Sequence, residues 1–305
     1  MTQRMNTERI RIWIGFVIVS TVWGSTWLAI KIGLTSVPPL IAAGLRFLIA
    51  SGILYVIIRV RKVEIDLSPD AKKLYITLVF LSYSIPFGLV YWGQQFIPSG
   101  LSSILFSGFP FAVAIFSHFL LANERLNLFK VVGIVLGTCG LLVIFFRDIH
   151  WADPSGFLGM MAIVLTTIVQ ALALVLVKKY GQPISPFAMN FIGMLFGGLL
   201  LLVAGLVTES FSGIVWNRAA IGSILYLAVV GSVVAFVTYH WLLKRVEAVY
   251  LSLVSFINPI IAVILGSIIL HETLAPAVFI GAGFVLIGIL VANGRYLLEK
   301  AREAV

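Results

Sequence analysis

The chain has 305 residues, 61% of them apolar and 11% charged, with a formal net charge of +9. A soluble globular protein is about 45–50% apolar and about 25% charged, so these proportions exclude a cytosolic enzyme, a disordered chain, a coiled coil and a collagen. The basic residues sit in short tracts between apolar runs rather than on one soluble face, a pattern of membrane topology and not of nucleic-acid binding.

A helix crosses about 30 Å of hydrocarbon in about 20 residues. Cutting the apolar runs at charge and turn clusters gives ten predicted spans: 12–32, 39–59, 75–95, 99–121, 130–146, 155–177, 186–206, 219–241, 248–270 and 276–293. The stretches between them are too short for an extramembrane domain. The first run follows Arg4, Arg9 and Arg11 as a secretory signal does. Thr26-Trp27-Leu28-Ala29 offers no small-x-small cleavage site, however, and Lys31 follows directly, so the run is expected to stay as the first span.

Trp23 falls at the centre of that span, and its indole N–H needs a partner when buried. Lys31, at the outer end, has a stem long enough to snorkel to water. Arg46 lies about three residues, roughly 5 Å, from the middle of the second span. A central arginine costs at least about 2.5–3.5 kcal/mol, and no acidic residue falls in any span interior to neutralise it. Its partners are therefore backbone carbonyls, tyrosines, water or a bound anion. Two uses stay open: an anchor for a substrate carboxylate, or a side chain fixed by carbonyls at a helix break.

Tyr83, Tyr91 and Trp92 in the third span, with Trp27 and Tyr239, are candidate aromatic walls, and Gln94 and Gln95 close the third span at its outer end. Pro110 and Pro259 fall near the centres of the fourth and ninth spans, where each frees a carbonyl, on Phe106 and Ser255. Such a group must find another partner or line a wet cavity. Two breaks at one depth suit either substrate binding or bending, and Asn258 adds an amide beside Pro259. His118, His240 and His271 fall at span ends, where solvation accounts for them, and Glu124 and Glu272 are expected to cap or pair locally. Cys139, inside an apolar run with no second cysteine, is expected to be a packed core thiol. Gly133-x-x-x-Gly137 and Gly193-x-x-x-Gly197 allow close helix approach, within the chain or across a homodimer seam.

Orientation follows from Lys and Arg counts at the span ends. Seventeen fall on the side of both termini and only Arg147 and Arg218 on the other, which places both termini in the cytoplasm. The halves also repeat at a shift of about 148 residues: Glu124-Arg125-Leu126 matches Glu272-Thr273-Leu274, Gly133 matches Gly281, Gly140 matches Gly288, and Lys31 and Pro39 match Lys178 and Pro186. Pro110 matches Pro259. Each repeat, 1–146 and 147–305, holds five spans, an odd number, so the second enters the membrane inverted. Inverted repeats with a site at their interface are a secondary-transporter architecture. The expected fold is thus an all-α integral membrane protein of ten transmembrane helices in two inverted five-helix repeats.

Trp23-Gly24-Ser25-Thr26 followed by Lys31, Pro38-Pro39 and Arg46-Phe47 resembles the opening of the EamA-type drug/metabolite transporters. So do the proline-centred fourth and ninth spans, each followed by a Glu with a leucine two residues on. The resemblance covers nearly the whole chain and implies ten helices, a central cavity and export of small metabolites, often amino acids. The second repeat departs from the pattern: Gln170-Ala171 stands where the first has Trp23-Gly24, and Gly193 stands opposite Arg46. The two halves are therefore expected to give different groups to the site: Arg46, Trp23, Ser25, Gln170, Asn258, Tyr91 and Tyr239 for binding, and Pro110 and Pro259 for bending.

The leading function is alternating-access export of a small carboxylate-bearing metabolite across the cytoplasmic membrane, with no cofactor or metal. A nucleotide-sugar or lipid-type carrier would favour several Arg or Lys residues at mid-depth, where one is present. An intramembrane enzyme would need a buried Ser/His pair, paired aspartates or a metal cluster, and the spacing shows none. Reporter fusions at Thr2 and Val305 are expected to report the same, cytoplasmic side; opposite sides would overturn the orientation.

Overall fold

Proline opens five of the helices, where its fixed φ is already helical and its missing N–H is not needed. In the structure, a computed structural model, α1 spans Thr2–Gly33, α2 Pro39–Arg61, α3 Pro69–Thr77, α4 Ile85–Gly93, α5 Ser99–Phe106, α6 Phe109–Leu120 and α7 Leu128–Asp148. The second half holds α8 (Pro154–Tyr180), α9 (Pro186–Thr208), α10 (Arg218–Ala228), α11 (Ala235–Leu243), α12 (Val254–Leu270) and α13 (Pro276–Ala292). The structure describes residues 2–122, 124–148, 154–248, 251, 254–292 and 294, without the side chains of 2–7, 145–148 and 256. The C-terminal basic residues Arg295, Lys300 and Arg302 that enter the topology count lie outside the described residues, as do the side chains of Arg4 and Arg147.

Among the described residues, seven helical segments are long and apolar enough to cross a membrane: Glu8–Gly33, Pro39–Arg61, Pro69–Gly93, Ser99–Leu120, Pro154–Tyr180, Pro186–Thr208 and Arg218–Leu243. Three further apolar segments, Leu128–Ile144, Ile257–Leu270 and Pro276–Ala292, are shorter. Large apolar side chains such as Phe119 and Val207 are among the exposed ones, as a hydrocarbon solvent requires.

The third and eighth predicted spans are not uninterrupted α-helices. A π-helical turn, Leu78–Ser84, separates α3 from α4, and another, Val229–Val234, separates α10 from α11. The two prolines also act differently. The fourth span breaks at Ser107 and Gly108, and Pro110 lies in the first turn of α6. Pro259 instead lies inside α12, which continues through it. The ring's φ is helical, so the rod persists with one bond missing.

The helices pair across the halves. α2 packs along α9 and α7 along α13, while α1 lies on α12 and α8 on α5 and α6. Glycines permit the closest of these contacts: Gly44 faces the backbone of Leu202, and Gly198 faces Phe47 and the Leu48 amide. Gly133 and Gly140 of α7 meet the carbonyls of Gly288 and Gly281, and Gly193 and Gly197 receive the Tyr83 side chain. Both glycine stripes singled out above are thus occupied within the chain. Cys139 is exposed and not a core thiol. At 3.6 residues per turn it lies about 200° around the helix from Gly137, on the far side from α13.

A β-carbon at Gly133 would sit 2.6 Å from that of Ala292, whereas one at Gly283 would meet nothing within 4 Å. Gly133→Val is therefore expected to destabilise the α7–α13 pair by about 1–3 kcal/mol. Gly283→Val should stay within about 0.5 kcal/mol of the parent. Thermal unfolding in detergent compares the two.

Candidate functional site

Arg46 is 1% exposed, although a charged side chain is costly to bury within a membrane. The π-helical turn Val229–Val234 holds it. Nε donates to Ser232 Oγ at 2.8 Å and an NH2 proton goes to the Gly231 carbonyl at 3.2 Å. NH1 lies 3.5 Å from the Tyr91 hydroxyl, and the rings of Phe87 and Phe47 face the guanidinium at 4.9 and 5.2 Å. Among the described residues no carboxylate is within ion-pair distance of it. The Gly231 carbonyl also takes the Trp23 indole N–H, at 3.4 Å. Glycine is needed there, because a β-carbon would sit 2.9 Å from Thr26 Cγ2.

Two small cavities, of about 50 and 60 Å³, adjoin at this point. Trp23, Phe106, Gln170, Phe236 and Asn258 line both. The larger also reaches Thr26, Trp27, Arg46 and Phe87; the other reaches Tyr239, His240 and Ser255. Trp23, Arg46, Gln170 and Asn258, singled out from the sequence, thus border one volume, and Tyr239 borders its neighbour. With its amide turned so that Nδ2 faces them, Asn258 donates to the carbonyls of Ser20 and Val254, both at 3.0 Å. Ser25 is not at the cavities: its hydroxyl bonds Val22 and, at 2.6 Å, Tyr226 on α10. Tyr91 reaches the site only through Arg46. Phe87 of α4 and Phe236 of α11, which the sequence reading did not single out, also form the walls.

Charged residues secure the turns at the helix ends. Lys31 does not simply snorkel: Nζ donates to the carbonyls of Gln94 and Ile97 at 2.6 and 2.9 Å. On the same turn, Glu272 accepts from Ser99 N and Oγ at 2.9 and 2.8 Å and from Gly100 N at 3.2 Å. The matching residues of the other half do the same work: Lys178 donates to Leu243 and Val246, and Glu124 accepts from Ala248 N at 3.3 Å. The glutamates therefore cap helices far away in the chain, not locally. Cation on carbonyls and anion on N–H groups is the favourable sense at both helix ends. Glu209 likewise caps α2 through Leu40 and Ile41 N, at 2.7 and 3.0 Å. His118 accepts from Leu126 N at 3.3 Å, and exposed His271 takes a left-handed φ of 53°. Among the described residues no group of three or more His, Cys, Asp or Glu is placed to hold a metal.

Comparison with known proteins accords with these features. The model of the EamA-like transporter family matches the chain twice, over residues 11–146 and 157–294. YoaV of Bacillus subtilis, described as an uncharacterized transporter, is 29% identical over 95% of this chain and 99% of its own length. PagO of Salmonella typhimurium is 30% identical over 84% of each. YedA of Escherichia coli K12, described as an uncharacterized inner membrane transporter, is 28% identical over 90% of this chain and 89% of its own. A crystal structure covering 92% of this chain and 96% of its own shares the fold, with a TM-score of 0.71 at 18% identity.

Hydrogen bonds to a charged group are worth about 1.5–3 kcal/mol each. Glu272→Gln is therefore expected to lower thermal stability by at least that much, since three bonds converge on its carboxylate. Glu64→Gln, at an exposed position, should stay within about 0.5 kcal/mol. Unfolding midpoints of the two variants in one detergent test this.

Proposed function

The chain belongs to the EamA-like transporter family and is a multi-pass membrane transporter; from that premise we propose that it exports a small carboxylate-bearing metabolite, an amino acid or a close relative, by alternating access. The observation that carries this is the buried Arg46 at the edge of a cavity, held only by neutral partners among the described residues. A guanidinium has five N–H donors, and the bonds to Ser232, Tyr91 and Gly231 engage three. Two remain to receive a carboxylate as a planar fork. The bound anion then supplies the countercharge that the protein does not.

In this reading the seven long and three shorter apolar segments are ten spans, residues 1–146 and 147–305 are inverted repeats, and both termini are cytoplasmic. The double family match supports the repeats, as do the pairing of α1 with α12 and of α8 with α5 and α6. The Lys31–Glu272 and Lys178–Glu124 turn clamps add to that support. Small-molecule sites measure about 300–1,000 Å³, so cavities of about 50 and 60 Å³ fit a closed form that must widen to load. The break at Ser107 and Gly108 and the two π-helical turns are the places where the walls can bend.

Proteoliposome transport of an acid and its amide tests the anchor, normalised to folded protein. Arg46→Ala should lose the acid by roughly 10–150-fold, the worth of one charge-assisted bond, and spare the amide. Arg46→Lys keeps the charge without the fork and should fall between. Equal losses of acid and amide would show Arg46 to be purely structural.

A further inference from the structure

The cavity beside Tyr239 and His240 has polar atoms that the protein leaves unused. Tyr239 is 5% exposed, and its hydroxyl has no hydrogen-bond partner among the described residues. His240, also buried, borders the same space, as does Gln170. The state of its ring is set from behind. Asn190 of α9 donates from Nδ2 to the Pro186 carbonyl at 2.6 Å, which turns Oδ1 the other way. That oxygen accepts from the Tyr83 hydroxyl at 2.6 Å and lies 3.1 Å from His240 Nδ1. A carbonyl oxygen only accepts, so Nδ1 carries a proton, and in the neutral imidazole Nε2 then keeps the lone pair. Gly193 and Gly197 make the room in which Tyr83 sits, and Phe47 meets its ring edge-on at 5.3 Å. The imidazole is thus held as an acceptor, and among the described residues no protein group bonds its Nε2.

Aromatic faces complete the space. Trp23 lies 4.6 Å from the Tyr239 ring and 5.1 Å from that of Phe236, and Phe236 lies 6.3 Å from His240. Such faces attract a cation where water is excluded. No carboxylate lines the cavity among the described residues, and the nearby Lys244 ammonium, bound to the Gln182 and Ile184 carbonyls, is itself positive. A bare cation would be buried there without a countercharge. A group that brings its own anion would not.

We propose that this cavity is the subsite for the primary ammonium of a zwitterionic substrate, its N–H groups donated to His240 Nε2 and the Tyr239 hydroxyl and its charge faced by Trp23 and Phe236. The subsite rests on the reading that Arg46 takes the carboxylate, and it narrows the substrate class to amino acids over simple carboxylates or simple amines. Tyr83 and Asn190 are positioning residues that set the imidazole as acceptor.

The test uses the full chain in proteoliposomes and a panel of neutral amino acids, each with its deaminated acid and its amide. The parent should prefer at least one amino acid to its deaminated acid by tenfold or more. Tyr239→Phe, which keeps the ring, and His240→Gln should bring that ratio to within about threefold, with unfolding midpoints showing that both variants fold. An unchanged ratio in folded Tyr239→Phe, or a parent that carries amino acid and deaminated acid alike, would overturn the ammonium subsite and leave the carboxylate anchor standing. A parent that carries amides as well as acids, or no member of the panel, would overturn the anchor and the subsite together.

Discussion

A guanidinium buried in a membrane protein without an acid beside it dictates much of what surrounds it. Neutral oxygens must converge on Arg46, and the π-helical turn Val229–Val234 supplies two, the Gly231 carbonyl and the Ser232 hydroxyl. That requirement places glycine at 231, where a side chain would strike Thr26. It also brings α1 close, because Trp23 shares the Gly231 carbonyl. The rings of Phe47 and Phe87 then lie against the guanidinium, which borders the cavity. In the proposed reading stability and binding meet here, since the groups that hold the arginine also fix the direction of its remaining N–H bonds.

The ends of the helices are managed by charge and their middles by shape. At each clamped turn a lysine sits on carbonyls at a helix C-terminus and a glutamate on N–H groups at the next N-terminus. Charges can sit at these depths because every one is spent on backbone groups that lipid would leave unpaired. In mid-membrane no such solvation is at hand, and glycine replaces it. Gly133 and Gly140 against Gly288 and Gly281 bring two helices to backbone contact, where dispersion over a long seam holds them without a polar group. Glu272 on Ser99 and Glu124 on Ala248 both cross from one half of the chain to the other.

The cavities are small because aromatic side chains fill the space between the halves. Trp23 packs against Phe236 and Tyr239, and Phe106 lines the same cavity, so in the proposed reading a modest change in their packing opens or closes the path. The interruptions at Ser107 and Gly108 and at the two π-helical turns fall in the helices that carry these rings or their neighbours.

Composition and local pattern by themselves determined the solvent, the approximate spans and the class of protein, because a lipid-facing helix must be apolar along its whole length. They also exposed Arg46 as a charge in need of neutral partners. Only the tertiary structure decided who those partners are. Ser232 lies 186 residues from Arg46 and Asn190 lies 107 from Tyr83, and nothing in either local sequence specifies the meeting. The π-helical turns were equally hidden, since Leu-Val-Phe-Leu-Ser-Tyr-Ser and Val-Val-Gly-Ser-Val-Val read as ordinary apolar helix. His240 looked like a solvated helix end until Asn190 and Tyr83 stood behind it. Burial in lipid is a property of each segment, whereas the choice of hydrogen-bond partner is a property of how segments from distant parts of the chain pack, and that geometry has no local signature.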